Sequence, residues 1–286
     1  MSEYRDISFN PELLKIEHFK HYPQMIPFVG KKYKDTRLLI IAESHYLPES
    51  EKERFNTWYD YGNVKNSIPE TWNDKNNGLV YLKKQVDSFN SENYENKEYP
   101  KENWYCWVDY TWTAKIVAAV EWNNRGHKIY QLLRRSVNNV LSKKNNRKIE
   151  RLEDYAFMNF FQRPAKVSGK SIQHDKDDIK VAGDTLQTVC KILKPTKIFF
   201  VSQCAWENFC NYINNKEKAL RYECGEHSCN AIQMIGSFNN SIIGHGPHPC
   251  CPMWNTKYPE YTKKKDGDNN TGKEAFEYFI SDGFLF

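Results

Sequence analysis

The sequence predicts an α/β protein built on a mainly parallel central sheet with helices over both faces. Three observations carry that expectation. Residues 37–42 (Arg-Leu-Leu-Ile-Ile-Ala), 155–161 (Tyr-Ala-Phe-Met-Asn-Phe-Phe) and 197–201 (Lys-Ile-Phe-Phe-Val) are short continuous apolar runs. Such runs mark strands buried on both faces. Segments with apolar residues at helical spacing stand between and after them, and strand then helix alternate along the chain. That βαβ rhythm builds parallel sheets with right-handed crossovers.

Taken in order, residues 37–42 are the first central strand. Residues 49–100 are rich in Asn, Lys, Glu and Tyr and poor in aliphatics, apart from a helix-like piece at 78–89. They read as an elaborated connection that forms a wall or lid. Residues 108–122 carry Ala, Ile and Val at helical spacing, and 129–141 repeat the period with Leu132, Leu133, Val137 and Val140. Two helices are therefore expected. A basic turn at 142–147 leads to the second strand, which ends in a polar loop with Gln162, Arg163 and Pro164. Residues 177–193 read as an amphipathic helix stopped by Pro195. The third strand precedes a helix at 204–213. After a Cys-containing hairpin or loop at 222–230, apolar pieces at 231–235 and 241–243 run into Gly244-His-Gly-Pro-His-Pro-Cys-Cys-Pro252. A helix at 272–280 closes a single expected domain, 1–286, with an insertion at about 49–105.

Composition bounds the function classes. With 40% hydrophobic and 15% aromatic residues, a sizeable core is affordable, and aromatic rings are available for stacking on bases or sugars. A net charge of +5 permits a polyanion partner without demanding one. The first ten residues lack the apolar core of a secretory signal, and no stretch reaches the length of a membrane span. A cytoplasmic monomer with no membrane association is expected. The eight cysteines need no disulfide framework in a reducing compartment.

Ligands of parallel sheets sit beyond the carboxyl ends of the strands. Three polar loops are expected to converge there, at 43–46, 159–164 and 245–252. In order and local context they resemble the motifs of the uracil-DNA glycosylase superfamily, a three-layer α/β/α fold whose members excise uracil or related bases from DNA. Leu38-Leu-Ile-Ile-Ala-Glu-Ser-His-Tyr46 looks like the first motif, a buried strand running into a water-activating loop. Against that motif the Gly-Glu pair of some branches is Ala42-Glu43, and the aspartate and tyrosine of another branch are Ser44 and Tyr46. Residues 155–160 are similar to the strand ending in a base-reading Asn, here Asn159. Residues 197–205 look like the following strand and its turn into a helix. His248-Pro249 resembles the late His-Pro-Ser motif, with Cys250 in the serine's place. The likeness spans roughly 36–255.

The resemblance implies base release with Glu43 and His248 as catalytic groups. Ser44, Tyr46, Asn159, Phe160 and His245 are the substrate-binding candidates. Chemically the assignment is coherent. Breaking the bond between base and sugar leaves positive charge on the sugar and negative charge on the base, so a carboxylate and a hydrogen-bond donor are required on opposite sides. The Asn159 carboxamide offers a donor and an acceptor to a base edge, and Tyr46 or Phe160 a stacking wall. Lys166, Lys170, Met253 and Trp254 are candidates for gripping DNA and wedging it open. Some branches hold an iron–sulfur cluster on cysteines that begin near the N-terminus. This chain has no Cys before 106, so no cofactor is expected.

Duller readings stand beside each of these. Glu43 could cap a helix or pair with a lysine, Asn159 could satisfy backbone groups, and His248 could merely hold a turn. Substitution at the family's glycine, aspartate and serine positions keeps open a non-catalytic nucleic-acid or nucleotide-binding module. A zinc-binding hydrolase on His245, His248, Cys250 and Cys251, with Cys224, His227 and Cys229 upstream, is the third class, although the spacing is not that of common zinc knuckles. The aromatic cluster 104–112 is expected to pack a core edge, and Cys190, Cys204 and Cys210 to be core thiols.

Overall fold

A computed structural model describes residues 5–47, 49–62, 110–114, 116–117, 128–145, 152–166, 170–213, 219–222, 231–234, 238, 240–255 and 271–281. Its strands are β1 (Phe28–Val29), β2 (Leu38–Ala42), β3 (Ala156–Asn159), β4 (Lys197–Phe200), β5 (Ala219–Tyr222), β6 (Ala231–Met234) and β7 (Ile242–His245). The helices used below are α1 (Asn10–Leu13), α2 (Glu17–His21), α3 (Tyr33–Thr36), α4 (Lys128–Asn145), α5 (Lys176–Leu193), α6 (Gln203–Ile213) and α7 (Gly272–Ser281).

Among the described residues the strands form one seven-stranded sheet in the order β1-β3-β2-β4-β7-β6-β5. The four central strands, β3, β2, β4 and β7, are mutually parallel. The edges are antiparallel additions: β1 on β3, and β6 then β5 beyond β7. The sheet is thus mixed, with its parallel part in the middle. The three strands read from continuous apolar runs are all central, since a strand covered on both faces has no polar alternation to display. Every residue of β2, β3 and β4 is buried.

Strand β4 shows how the two faces are covered. Phe199 packs against Phe276 and Phe279 of α7, with ring centroids 4.8 and 5.0 Å away. Its neighbour Phe200 packs against Trp206 and Phe209 of α6, at 5.7 and 5.0 Å. Successive side chains of a strand point to opposite faces, so α7 and α6 lie on opposite sides of the sheet. Helix α4 joins α7 and helix α5 joins α6. The arrangement is an α/β sheet with helices on both faces, compatible with three layers.

Chain reversals sit where the sequence can make them. Arg37 (φ 48°) ends α3 in the left-handed conformation and turns the chain into β2; its N–H donates to the Tyr33 carbonyl. Lys194 (φ 50°) ends α5 in the same way, just before Pro195. Helix α5 starts with a reciprocal cap, the Asp175 carboxylate accepting from Asp178 N–H at 2.9 Å and the Asp178 carboxylate from Asp175 N–H at 3.0 Å.

The beginning of the expected insertion is fastened to the core. Residues Glu49–Thr57 form 3-10 turns, and Trp58 is buried, stacked on Tyr22 at 4.3 Å. Its Nε1 donates to the Gln162 carbonyl at 2.8 Å. The rest of the connection, with the helix-like 78–89, lies outside the described residues. Of the aromatic cluster 104–112, Trp112 is core and 104–109 are likewise outside. Cys190 is buried, whereas Cys204 and Cys210 are only half-buried. Among the described residues no helix is long and apolar enough to cross a membrane.

Candidate functional site

The parallel register brings four strand ends to one edge. Ala42 pairs with Asn159, Ile41 with Phe200, and Phe200 with His245. Glu43, Asn159, Ser202 and the loop after His245 therefore leave the sheet side by side. Two glycines set the end of β7 and that last loop against α7 and β4. A β-carbon on Gly244 would lie 2.7 Å from the Phe279 ring, and one on Gly246 would lie 2.9 Å from the Phe199 ring. Only a residue without a side chain fits there.

Glu43 is half-buried and receives three donors. Ser202 Oγ donates to Oε2 at 2.9 Å, Ile172 N–H to Oε1 at 2.9 Å, and Ser171 Oγ to Oε2 at 3.4 Å. A carboxylate has about four lone-pair sites, so three are occupied and its orientation is fixed. Ser202 also accepts from Ala205 N–H at 3.2 Å, which makes it the cap of α6 as well as a support of Glu43.

The strap 170–174 that covers Glu43 is itself pinned from below. Arg163 donates to the Gln173 carbonyl at 2.9 Å and grips Asp178 through Nε at 2.8 Å and through a second bond from its terminal nitrogen. The guanidinium lies 3.7 Å over the Phe55 ring. Tyr59 completes the cluster by donating to Asp178 at 2.9 Å. Burial, then the Asp178 charge, push the Tyr59 phenol well above its ordinary pKa, so it remains a donor. At the far end of the strap, His174 stacks on Phe161 at 5.3 Å, and Asn208 bonds its Nε2 at 3.0 Å.

Two polar groups beside Glu43 are unfilled. Asn159 is 6% exposed, and its carboxamide makes no hydrogen bond with other described residues; only its backbone carbonyl is used, by Gln162 Nε2 at 2.9 Å. The Ser44 hydroxyl is buried with no hydrogen-bond partner among the described residues. Buried polar groups are normally satisfied, so the Ser44 hydroxyl at this strand end needs an explanation.

In the loop after β7, His248 is exposed and its ring is oriented by the chain that follows it. Cys250 N–H donates to Nδ1 at 3.1 Å, which leaves the proton of the neutral ring on Nε2. Desolvation lowers the His248 pKa and the Glu43 charge opposes that shift, so the two groups are within electrostatic reach. His245 is half-buried and stacks on Trp206 at 4.5 Å with an interplanar angle of 13°. Burial lowers its pKa to about 4, against the pull of Glu207, and it is neutral near pH 7.

The other sequence candidates fall into two groups. Tyr46 is half-buried against the core and bridges to Ala165; Lys166 and Lys170 are exposed, and Met253 is half-buried. Phe160 and Trp254 are corrected: both are 0% exposed. Phe160 packs on Phe161, Phe200 and Phe209, and Trp254 on Phe276, so neither presents a face to a base or a duplex. Ser202, Ser171 and Ile172 were not singled out from sequence. A Ser just after a strand and before a helical run was the available signal for the first; the strap donors had none.

Among the described residues no three of His, Cys, Asp and Glu converge as a metal site. Cys224, His227 and Cys229 of the zinc reading lie outside them. In comparisons with known proteins, the chain matches no family model and no curated protein.

Proposed function

We propose that the protein is an N-glycosidic bond hydrolase acting on a deaminated or damaged base in DNA, a divergent relative of the uracil-DNA glycosylase superfamily in fold and site. The observation that carries this reading is the Asn159 carboxamide, on a residue only 6% exposed and with no hydrogen bond to other described residues, beside a fixed Glu43 carboxylate at the carboxyl ends of paired parallel strands. A planar base with adjacent donor and acceptor would complete Asn159. The remaining lone pair of Glu43 would orient water or balance charge on the sugar, and His248 Nε2–H would donate to the departing base. Ser44 adds a second group for the base edge, and Tyr46 flanks it. His245, held on Trp206, shapes the wall. Exposed Lys170, at the start of the strap, and exposed Lys166 before it would meet phosphates.

The test is release of base from single- and double-stranded oligonucleotides carrying uracil, hypoxanthine or xanthine. Glu43→Gln should slow release about 10²–10⁴-fold and His248→Ala about 10²–10³-fold. A folded protein inactive on every substrate would refute catalysis. A second reading, a binder without turnover, is favoured by one feature: Glu43 is already engaged by three protein donors. Saturable oligonucleotide binding lost in Asn159→Ala, with no release, would establish it.

A further inference from the structure

Two adjacent thiols stand in the loop that carries His248. Cys250 is exposed, Cys251 is half-buried, and both are free. Their amides hold the histidine: Cys250 N–H donates to His248 Nδ1 at 3.1 Å, and Cys251 N–H donates to the His248 carbonyl at 2.9 Å. Cys251 also precedes the short 3-10 turn Pro252–Trp254, whose Trp254 is anchored in the core. Each thiol therefore sits on a residue whose amide holds His248, one through the ring and one through the backbone carbonyl. The two thiols also sense one another: desolvation raises the Cys250 pKa, nearby Lys128 lowers it, and Cys251 raises it.

We propose that Cys250 and Cys251 are a reversible oxidation switch on the His248 loop, closed by a low-molecular-weight disulfide such as glutathione disulfide. Exposed Cys250, as thiolate, attacks the small disulfide, forming a mixed disulfide and expelling one thiolate. Cys251 then attacks the Cys250 sulfur and expels the second. The pair loses two protons and two electrons, one disulfide bond forms in the loop, and the reagent is reduced to two thiols.

The geometry explains why this would act on His248. Disulfide-linked residues ordinarily have α-carbons about 4.4–6.8 Å apart, whereas neighbours across a trans peptide are about 3.8 Å apart. Closing the ring must therefore distort the 250–251 peptide, whose N–H is the donor to the His248 carbonyl. Strained disulfides are readily reduced, which suits a switch rather than a staple. An effect on base release rests on the role given above to His248; ring closure and loosening of the loop do not.

The full-length protein is incubated with glutathione disulfide and digested with chymotrypsin, which separates the pair, in the peptide ending at Trp254, from Cys224 and Cys229. The expected result is loss of two hydrogens in that peptide, faster at higher pH and reversed by dithiothreitol. Cys250→Ser and Cys251→Ser should each abolish it. Amide hydrogen exchange at residues 248, 250 and 251 should quicken at least tenfold on oxidation, and base release should fall at least tenfold in the wild type but not in Cys251→Ser. A persistent glutathione adduct without ring closure would overturn the proposal, as would a ring that leaves exchange unchanged. If no base is ever released, the mass and exchange readouts still decide the switch, so the two failures are distinguishable.

Discussion

Replacing Asp178 by alanine tests whether the strap over Glu43 is held by a buried charge. Asp178 is 0% exposed and its carboxylate accepts two bonds from Arg163, one from Tyr59 and one from Asp175 N–H. Asp178→Ala removes all four and leaves the 5%-exposed Arg163 guanidinium with only the Gln173 carbonyl and the Phe55 face. Removing one partner of a buried pair costs about 3–5 kcal/mol, because the other charge stays desolvated. Urea unfolding followed by tryptophan fluorescence should show a loss of that size with the slope unchanged. The cycle completed with Arg163→Met should recover about 1.5 kcal/mol or more, since the double variant buries no unpaired charge. A loss below about 1 kcal/mol for Asp178→Ala, or strict additivity in the cycle, would refute the idea that this pair anchors the strap.

Ser202→Ala removes both the α6 cap and a Glu43 donor, and should cost about 1–2 kcal/mol in thermal or urea unfolding; unchanged stability would refute the double role. Two desolvated histidines, His18 and His245, set an acid limit. Burial lowers His18 to about 3 and His245 to about 4, from an ordinary value of 6.5. Between 6.5 and those values the unfolded chain binds protons that the folded chain refuses, so stability rises with pH across this window. It is fully present above 6.5 and is lost as pH falls toward about 4 and then about 3. Unfolding midpoints measured against pH should show this slope, and His18→Phe should flatten it; an identical slope in the variant would refute the assignment to His18.

Much of the fold was legible because its signals are local. Four isoleucines and leucines in a row after Arg37 could only be a doubly covered strand, and Pro195 could only follow a helix end. β1 was missed because two residues, Phe28 and Val29, show no period, and β5 because nothing set Ala219–Tyr222 apart from a loop. Phe160 and Trp254 illustrate the converse limit. An aromatic beside a polar loop reads the same whether it faces the cleft or the core, and only packing against Phe200, Phe209 and Phe276 decides which.

The amino-acid sequence by itself determined the order of the central strands and of the longer helices between and after them, the parallel centre of the sheet and hence the edge at which Glu43, Asn159 and His248 leave it. Those features follow from patterns within a few residues of one another, which the chain cannot hide. Only the tertiary structure decided that Ser202, Ser171 and Ile172 converge on Glu43, that Asp178 anchors the strap through Arg163, and that the Asn159 amide is left unfilled. Each depends on partners more than ten residues apart whose meeting is fixed by register and packing, and no local pattern encodes such a distance.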